Sequence, residues 1–257
     1  MTTPLGEAIH AARILRLPII AELAEALADQ GRDQNWSFEE YLAALLGRQA
    51  AAREANGTTT RLRRAHFPRV STMEDFNWAY QPTAPRQIIE HLATSTFIPR
   101  ADNVILLGPP GVGKTHLAIA LGIKACQHGH SVAFKTAVDW IADLTEAHAD
   151  GMLAARLHDL DRTALVIIDE LGYLPLNADA ANLLFQLVSA RYETGSIIIT
   201  SNLDFARWGE TLADPVIAAA LIDRLVHHAE IIALKGDSYR TRNRRAQQAA
   251  TLKTPNQ

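Results

Sequence analysis

The stretch Val104–Ala120, VILLGPPGVGKTHLAIA, constrains the fold of this chain more than any other. Four apolar residues, Val104 to Leu107, lead into Gly108-Pro109-Pro110-Gly111-Val112-Gly113-Lys114-Thr115, and an apolar-periodic segment begins at once. This is the spacing G-x-x-x-x-G-K-[ST], in the order strand, loop, helix that gives it meaning. Glycines at 108, 111 and 113 can take positive φ, so that consecutive backbone N–H groups curl inward around a phosphate. A helix opening near Lys114 points the positive end of its dipole at the same anion. Lys114 is placed to reach the β- and γ-phosphates, and Thr115 to put its hydroxyl on Mg²⁺. Residues 108–115, with His116 behind them, are therefore expected to bind a nucleoside triphosphate.

A loop of this kind sits on a parallel sheet, and the chain supplies one. Strands are expected at 131–135, 165–168, 196–202 and 230–234, alternating with helices at 114–127, 137–147, 151–160, 179–193 and 215–226. The runs Leu165-Val166-Ile167-Ile168 and Ile197-Ile198-Ile199 are apolar throughout rather than alternating. Such strands are buried on both faces, which predicts an α/β fold with helices on either side of a parallel sheet. Ligands in these sheets sit at the carboxyl ends of the strands.

The polar residues at those ends form a coherent set. Asp169 terminates an apolar strand, where a carboxylate is costly unless a cation receives it; Mg²⁺ shared with Thr115 and the phosphates is that cation. Glu170 follows, suited to orient and deprotonate the water that attacks the γ-phosphate. Asn202 ends the next strand in Thr200-Ser201-Asn202, and its neutral amide can sense the γ-phosphate without competing for the metal; Thr200 could share that task. Phosphoryl transfer also calls for positive charge on the γ-phosphate, usually from an arginine. Arg224, on an otherwise apolar helix, and Arg240, in Gly236-Asp237-Ser238-Tyr239-Arg240, are the two candidates.

Residues 3–56 read as helices, with Ser37-Phe38-Glu39-Glu40 a capping box for the third. They predict a small all-helical N-terminal module. A basic linker would join it at about residue 70 to the nucleotide-binding domain, 71–257. Gly57-Thr58-Thr59-Thr60 weakens the helical pattern before the linker, Arg61-Leu62-Arg63-Arg64-Ala65-His66-Phe67-Pro68-Arg69. The net charge of −3 excludes a uniformly basic nucleic-acid binder, yet its distribution is uneven. Residues 71–234 carry −9, whereas 235–257 carry +5, and 45–70 hold six arginines against Glu54 alone. Basic segments flanking an acidic body point to a phosphate-rich partner. No apolar run approaches the roughly 18 residues of a membrane span. With a single cysteine and no apolar leader, the expected location is the cytoplasm.

With these residues in hand the sequence resembles the AAA+ ATPases, and within them the IstB family, the helper ATPases encoded beside the transposase in bacterial insertion sequences. The resemblance rests on LLGPPGVGKTHLAIALG, LVIIDELGYLPL, FQLVSARYETGSIIITSNL, RWGE, ALIDRLVHHAEII and KGDSYR, with RLRRAHFP and MEDFNWAY upstream. It implies Lys114 and Thr115 as the phosphate-loop pair, Asp169 and Glu170 as metal and water carboxylates, and Asn202 as first sensor. Arg224 would be a finger reaching a neighbouring subunit's nucleotide, and Arg240 a second sensor. It further implies a homo-oligomer with ATP sites at its interfaces, assembling on duplex DNA with little sequence preference and serving a transposase. DnaC-type helicase loaders are the near relatives, and a loader is the alternative function.

Overall fold

The computed structural model describes residues 3–212, 214–236 and 238–239. Its contacts divide the chain into two compact units between Thr60 and Arg61. The first unit packs α1 (Pro4–Ile14), α2 (Pro18–Asp33) and the start of α3 (Phe38–Ala65) around Ala12, Ile20, Ala24, Leu27 and Leu45. Pro18 opens α2 behind Leu17, which offers no side-chain cap. The first free N–H groups are met instead by the buried Gln49, whose Oε1 accepts from Ile19 N at 3.1 Å and Ile20 N at 3.4 Å. The capping box of α3 forms as its residues require: Glu40 N donates to Ser37 Oγ and Ser37 N to the Glu40 carboxylate. One expectation fails. Residues 57–60 do not interrupt the helix, which runs on to Ala65, so Arg61, Arg63 and Arg64 lie in its last turns rather than in a linker.

The second unit is built on five parallel strands in the order β2-β3-β4-β1-β5. They are β1 (Asn103–Leu107), β2 (Val132–Thr136), β3 (Leu165–Leu171), β4 (Ser196–Ser201) and β5 (Ala229–Ala233). The all-apolar strands divide their side chains between two cores, as burial on both faces demands. Val104, Leu106, Leu165, Ile167 and Ile198 pack with Leu117, Leu121 and Ala125 of α5 (Lys114–Gln127) and with α4 (Arg86–Leu92). Ile105, Val166, Ile168, Ile197 and Ile199 face the other way. They meet α6 (Ala137–Ala149), α7 (Leu153–Leu160), α8 (Ala178–Arg191), α9 (Phe205–Thr211) and α10 (Pro215–Val226). The helices α4 and α9, seven residues each, are too short for periodicity to announce. No helix among the described residues is long and apolar enough to cross a membrane.

At the amino ends of the strands, Arg191 is buried to 2% exposure. Its guanidinium donates to the carbonyls of Leu160, Thr163, Ala164 and Ser196 at 2.7–3.2 Å, tying the turn before β3 to the start of β4. Burial pushes its ionisation down to about 10. This arginine stabilises the frame from the end opposite the site.

Candidate functional site

The loop between β1 and α5 takes the conformation its glycines permit. Gly111 and Gly113 have φ of 84° and 101°. A Cβ at Gly111 would stand 2.2 Å from Ser238 Oγ, and one at Gly108 2.2 Å from the Leu234 carbonyl, so larger residues are excluded by contact as well as by φ. Lys114 folds back along the loop and donates to the carbonyls of Gly108 at 2.6 Å and Pro109 at 2.8 Å. Pro110, Gly111, Val112, Gly113, Lys114, Thr115 and His116 all line one cleft of about 580 Å³. His116 does so with its ring anchored, Nε2 lying 2.7 Å from the Thr72 carbonyl.

The carboxyl ends of β3 and β4 bring Glu170 to this cleft and Asp169 to the foot of the phosphate loop. The Thr115 hydroxyl donates to Asp169 Oδ1 at 2.9 Å, joining the helix start to the strand end. Asp169 is 3% exposed, and no cation lies within 4.0 Å of its carboxylate among the described residues. Its donor set, one carboxylate beside one hydroxyl at the foot of a phosphate loop, fits a hard divalent ion such as Mg²⁺. Glu170 is exposed on the cleft wall at φ 60°. Asn202 also lines the cleft, and its buried Oδ1 has no hydrogen-bond partner. A buried acceptor without a donor calls for a ligand or a water to complete it. On the far side of Asp169 and Glu170 a second cleft of about 500 Å³ is bordered by His66, Arg69 and Lys135.

The remaining candidates are placed differently from one another. Thr200 also lines the cleft, and its hydroxyl donates to Asp169 Oδ1 at 2.6 Å and accepts from Glu170 N at 2.9 Å. Arg224, on α10, lines neither cleft; its guanidinium stacks 4.4 Å over the Phe185 ring and donates to Ser189. Arg240 lies outside the described residues. His227 and His228 are exposed, with His227 Nδ1 2.9 Å from the Tyr192 hydroxyl and Glu193 beside the pair.

Much of the cleft's other wall comes from 69–81, where the sequence offers no period to read. Arg69, Asp75, Phe76, Asn77, Tyr80 and Gln81 line it with Tyr239. Gln81 is buried and donates through Nε2 to the Val112 carbonyl at 3.1 Å, fixing the crest of the loop. Tyr80 and Tyr239 meet edge to face at 4.7 Å, and Phe76 contacts both Trp78 and the His116 ring. The signal available was MEDFNWAY, whose aromatics among polar residues suit a half-open wall rather than a core.

The sequence profile of the IstB-like ATP binding protein family matches residues 10–247. A Pseudomonas aeruginosa protein described as the ATP-binding protein of insertion sequence IS21 is 42% identical over 93% of this chain and 91% of its own length. Its counterpart from insertion sequence IS5376 of Geobacillus stearothermophilus is 40% identical, covering 91% of this chain and 93% of the relative. Among solved structures, AMPPCP-bound DnaA from Aquifex aeolicus superposes with a TM-score of 0.54 at 17% identity, over 66% of this chain and 51% of that one. The DnaC helicase loader gives 0.50 at 22%, over 58% of this chain and 87% of that one. The sheet is thus of the AAA+ type, and the chain belongs to the IstB-like ATP-binding protein family.

Proposed function

We propose that this protein is an Mg²⁺-dependent ATPase that assembles on duplex DNA and serves a transposase. The observation that carries the catalytic half is the cluster at the ends of β3 and β4. The exposed Glu170 and the Asn202 amide, with its unpartnered Oδ1, line the phosphate-loop cleft, and the buried Asp169 carboxylate, bonded to the phosphate-loop threonine, borders the second cleft that meets it at Thr115 and Glu170. Gly108 to Thr115 would hold the phosphates, with Lys114 exchanging loop carbonyls for β- and γ-oxygens. Thr115 and Asp169 would hold Mg²⁺, which neutralises charge developing between those phosphates. Glu170 would take the proton from a water as its oxygen attacks the γ-phosphorus and the bond to ADP breaks. Asn202 Nδ2 would donate to the γ-phosphate or, through Oδ1, accept from that water. Arg224 is stacked on its own α8 away from the cleft, which suits a finger acting on a neighbouring subunit's nucleotide and makes a homo-oligomer part of the mechanism.

The DNA and transposase part of the reading rests on membership of an insertion-sequence family and on exposed Arg63 and Arg64, whose neighbours in the chain are largely uncharged or basic. Arg61 is set apart from them, because its Nε donates to the Cys126 carbonyl at 2.7 Å and is therefore committed to packing. The test is imaging of the full chain with ATP on duplex and on single-stranded DNA, alongside ATP turnover. Ordered assemblies on duplex with hydrolysis support the reading. Assemblies confined to single strands favour a helicase loader, and absence of turnover with every DNA removes the enzymatic claim.

A further inference from the structure

The two carboxylates of the site sit on a β-bulge, and a single residue stands opposite them. In the β3–β4 register Ile168 pairs with Ile199 and the next pair is Leu171 with Ser201. Two residues of β3, Asp169 and Glu170, therefore face one residue of β4, Thr200. Bulges of this two-against-one kind re-aim side chains and leave a peptide group outside the ladder. Here the displaced residue is Glu170, in the left-handed region at φ 60°, a conformation that a non-glycine residue keeps only when its surroundings enforce it.

Thr200 supplies that enforcement. It is fully buried, and its hydroxyl makes two bonds of opposite sense, accepting from Glu170 N at 2.9 Å and donating to Asp169 Oδ1 at 2.6 Å. A hydroxyl has one proton to give, and here Asp169 receives it. Asn202, by contrast, keeps a buried polar atom without a partner at the same strand end. We infer that Thr200 is the positioning residue of the hydrolytic site: one hydroxyl locks the Asp169 carboxylate and pins the bulge that turns Glu170 into the cleft. The inference rests on the ATPase reading for its consequence, though not for its geometry.

Two measurements on the full chain test the geometry and its consequence separately. Amide exchange at Glu170, followed by NMR, should quicken about tenfold or more in Thr200→Val and stay within about threefold of wild type in Thr200→Ser. ATP turnover should fall by about 30-fold in Thr200→Val with nucleotide affinity kept within about threefold, and recover most of that loss in Thr200→Ser. If valine packs poorly, Thr200→Ala removes the same hydroxyl and must give the same exchange and turnover pattern. Unchanged exchange at Glu170 overturns the hydroxyl's hold on the bulge. Faster exchange with undiminished turnover overturns its role in hydrolysis, as does a serine variant as slow as the valine one. A wild-type protein with the expected exchange pattern and no turnover overturns the ATPase reading itself and removes the positioning role with it.

Discussion

Asp169→Asn should make the protein more stable and at the same time inactive. The carboxylate is 3% exposed, and both of its hydrogen bonds, from Thr115 and Thr200, fall on Oδ1. An asparagine can keep both through its own Oδ1, with the amide nitrogen taking the place of Oδ2. Changing the acceptor from charged to neutral costs about 1–1.5 kcal/mol per bond, hence about 2–3 kcal/mol for the two. Removing an ion buried without a cation returns several kcal/mol of desolvation. The balance is a gain of about 1–2 kcal/mol, which for a unit of this size raises Tm by about 2–8 °C. Differential scanning fluorimetry without nucleotide reads the first effect, and phosphate release with Mg²⁺-ATP reads the second. A lower Tm would show that the carboxylate is better compensated than its contacts indicate. Retained hydrolysis would show that another group holds the metal.

Lys114→Ala should abolish the stabilisation that ATP gives the wild type, about 2.7 kcal/mol at one hundred times the dissociation constant, read as a lost thermal shift; a preserved shift would remove Lys114 from phosphate binding. Mixing Arg224→Ala with Glu170→Gln subunits should restore part of the turnover each lacks alone, because some interfaces then join an intact Arg224 to an intact Glu170; no recovery at any ratio would place the finger elsewhere. Replacing Arg63 and Arg64 by Ala should lower the slope of log affinity for duplex DNA against log salt by about 1.8, the value for two phosphate contacts, and an unaltered slope would assign these arginines to another partner. Arg191→Met leaves carbonyls of Leu160, Thr163, Ala164 and Ser196 without their side-chain donor, and should destabilise by about 1–3 kcal/mol in urea denaturation while leaving nucleotide affinity of the remaining folded protein intact.

What could be read in advance followed from local rules. The phosphate loop is defined by spacing, the two-faced sheet by unbroken apolar runs, and the Ser37–Glu40 cap by residue type and separation. Each is a short-range pattern with one structural solution. What escaped depends on partners distant in sequence. Nothing local marks Arg191 in the last turn of α8, and only the carbonyls of Leu160, Thr163 and Ser196 make it a buried brace. Residues 57–60, with a glycine and three threonines, look like a break because intrinsic propensity is a weak prior, yet α3 continues through them. The wall at 69–81 is made of turns, so no period announces it.

Residues 200–202 show why two residues of one strand end are suited to different tasks in a single site. Thr200 is fully buried, and its hydroxyl is spent on Asp169 and Glu170. Ser201 accepts from Leu203 N at 3.1 Å and shapes the turn that follows. Asn202 stands beyond that ladder, its Oδ1 buried and unpartnered on the cleft. A change felt at Asn202 is therefore two residues along one backbone from the hydroxyl that pins Glu170. If Asn202 meets the γ-phosphate, nucleotide state and the aim of the base are coupled through a single strand end. Asn202→Ala should then slow hydrolysis without altering Glu170 amide exchange in the nucleotide-free protein, because the Thr200 hydroxyl remains. Exchange that quickens in this variant would show that the bulge depends on the whole strand end rather than on Thr200.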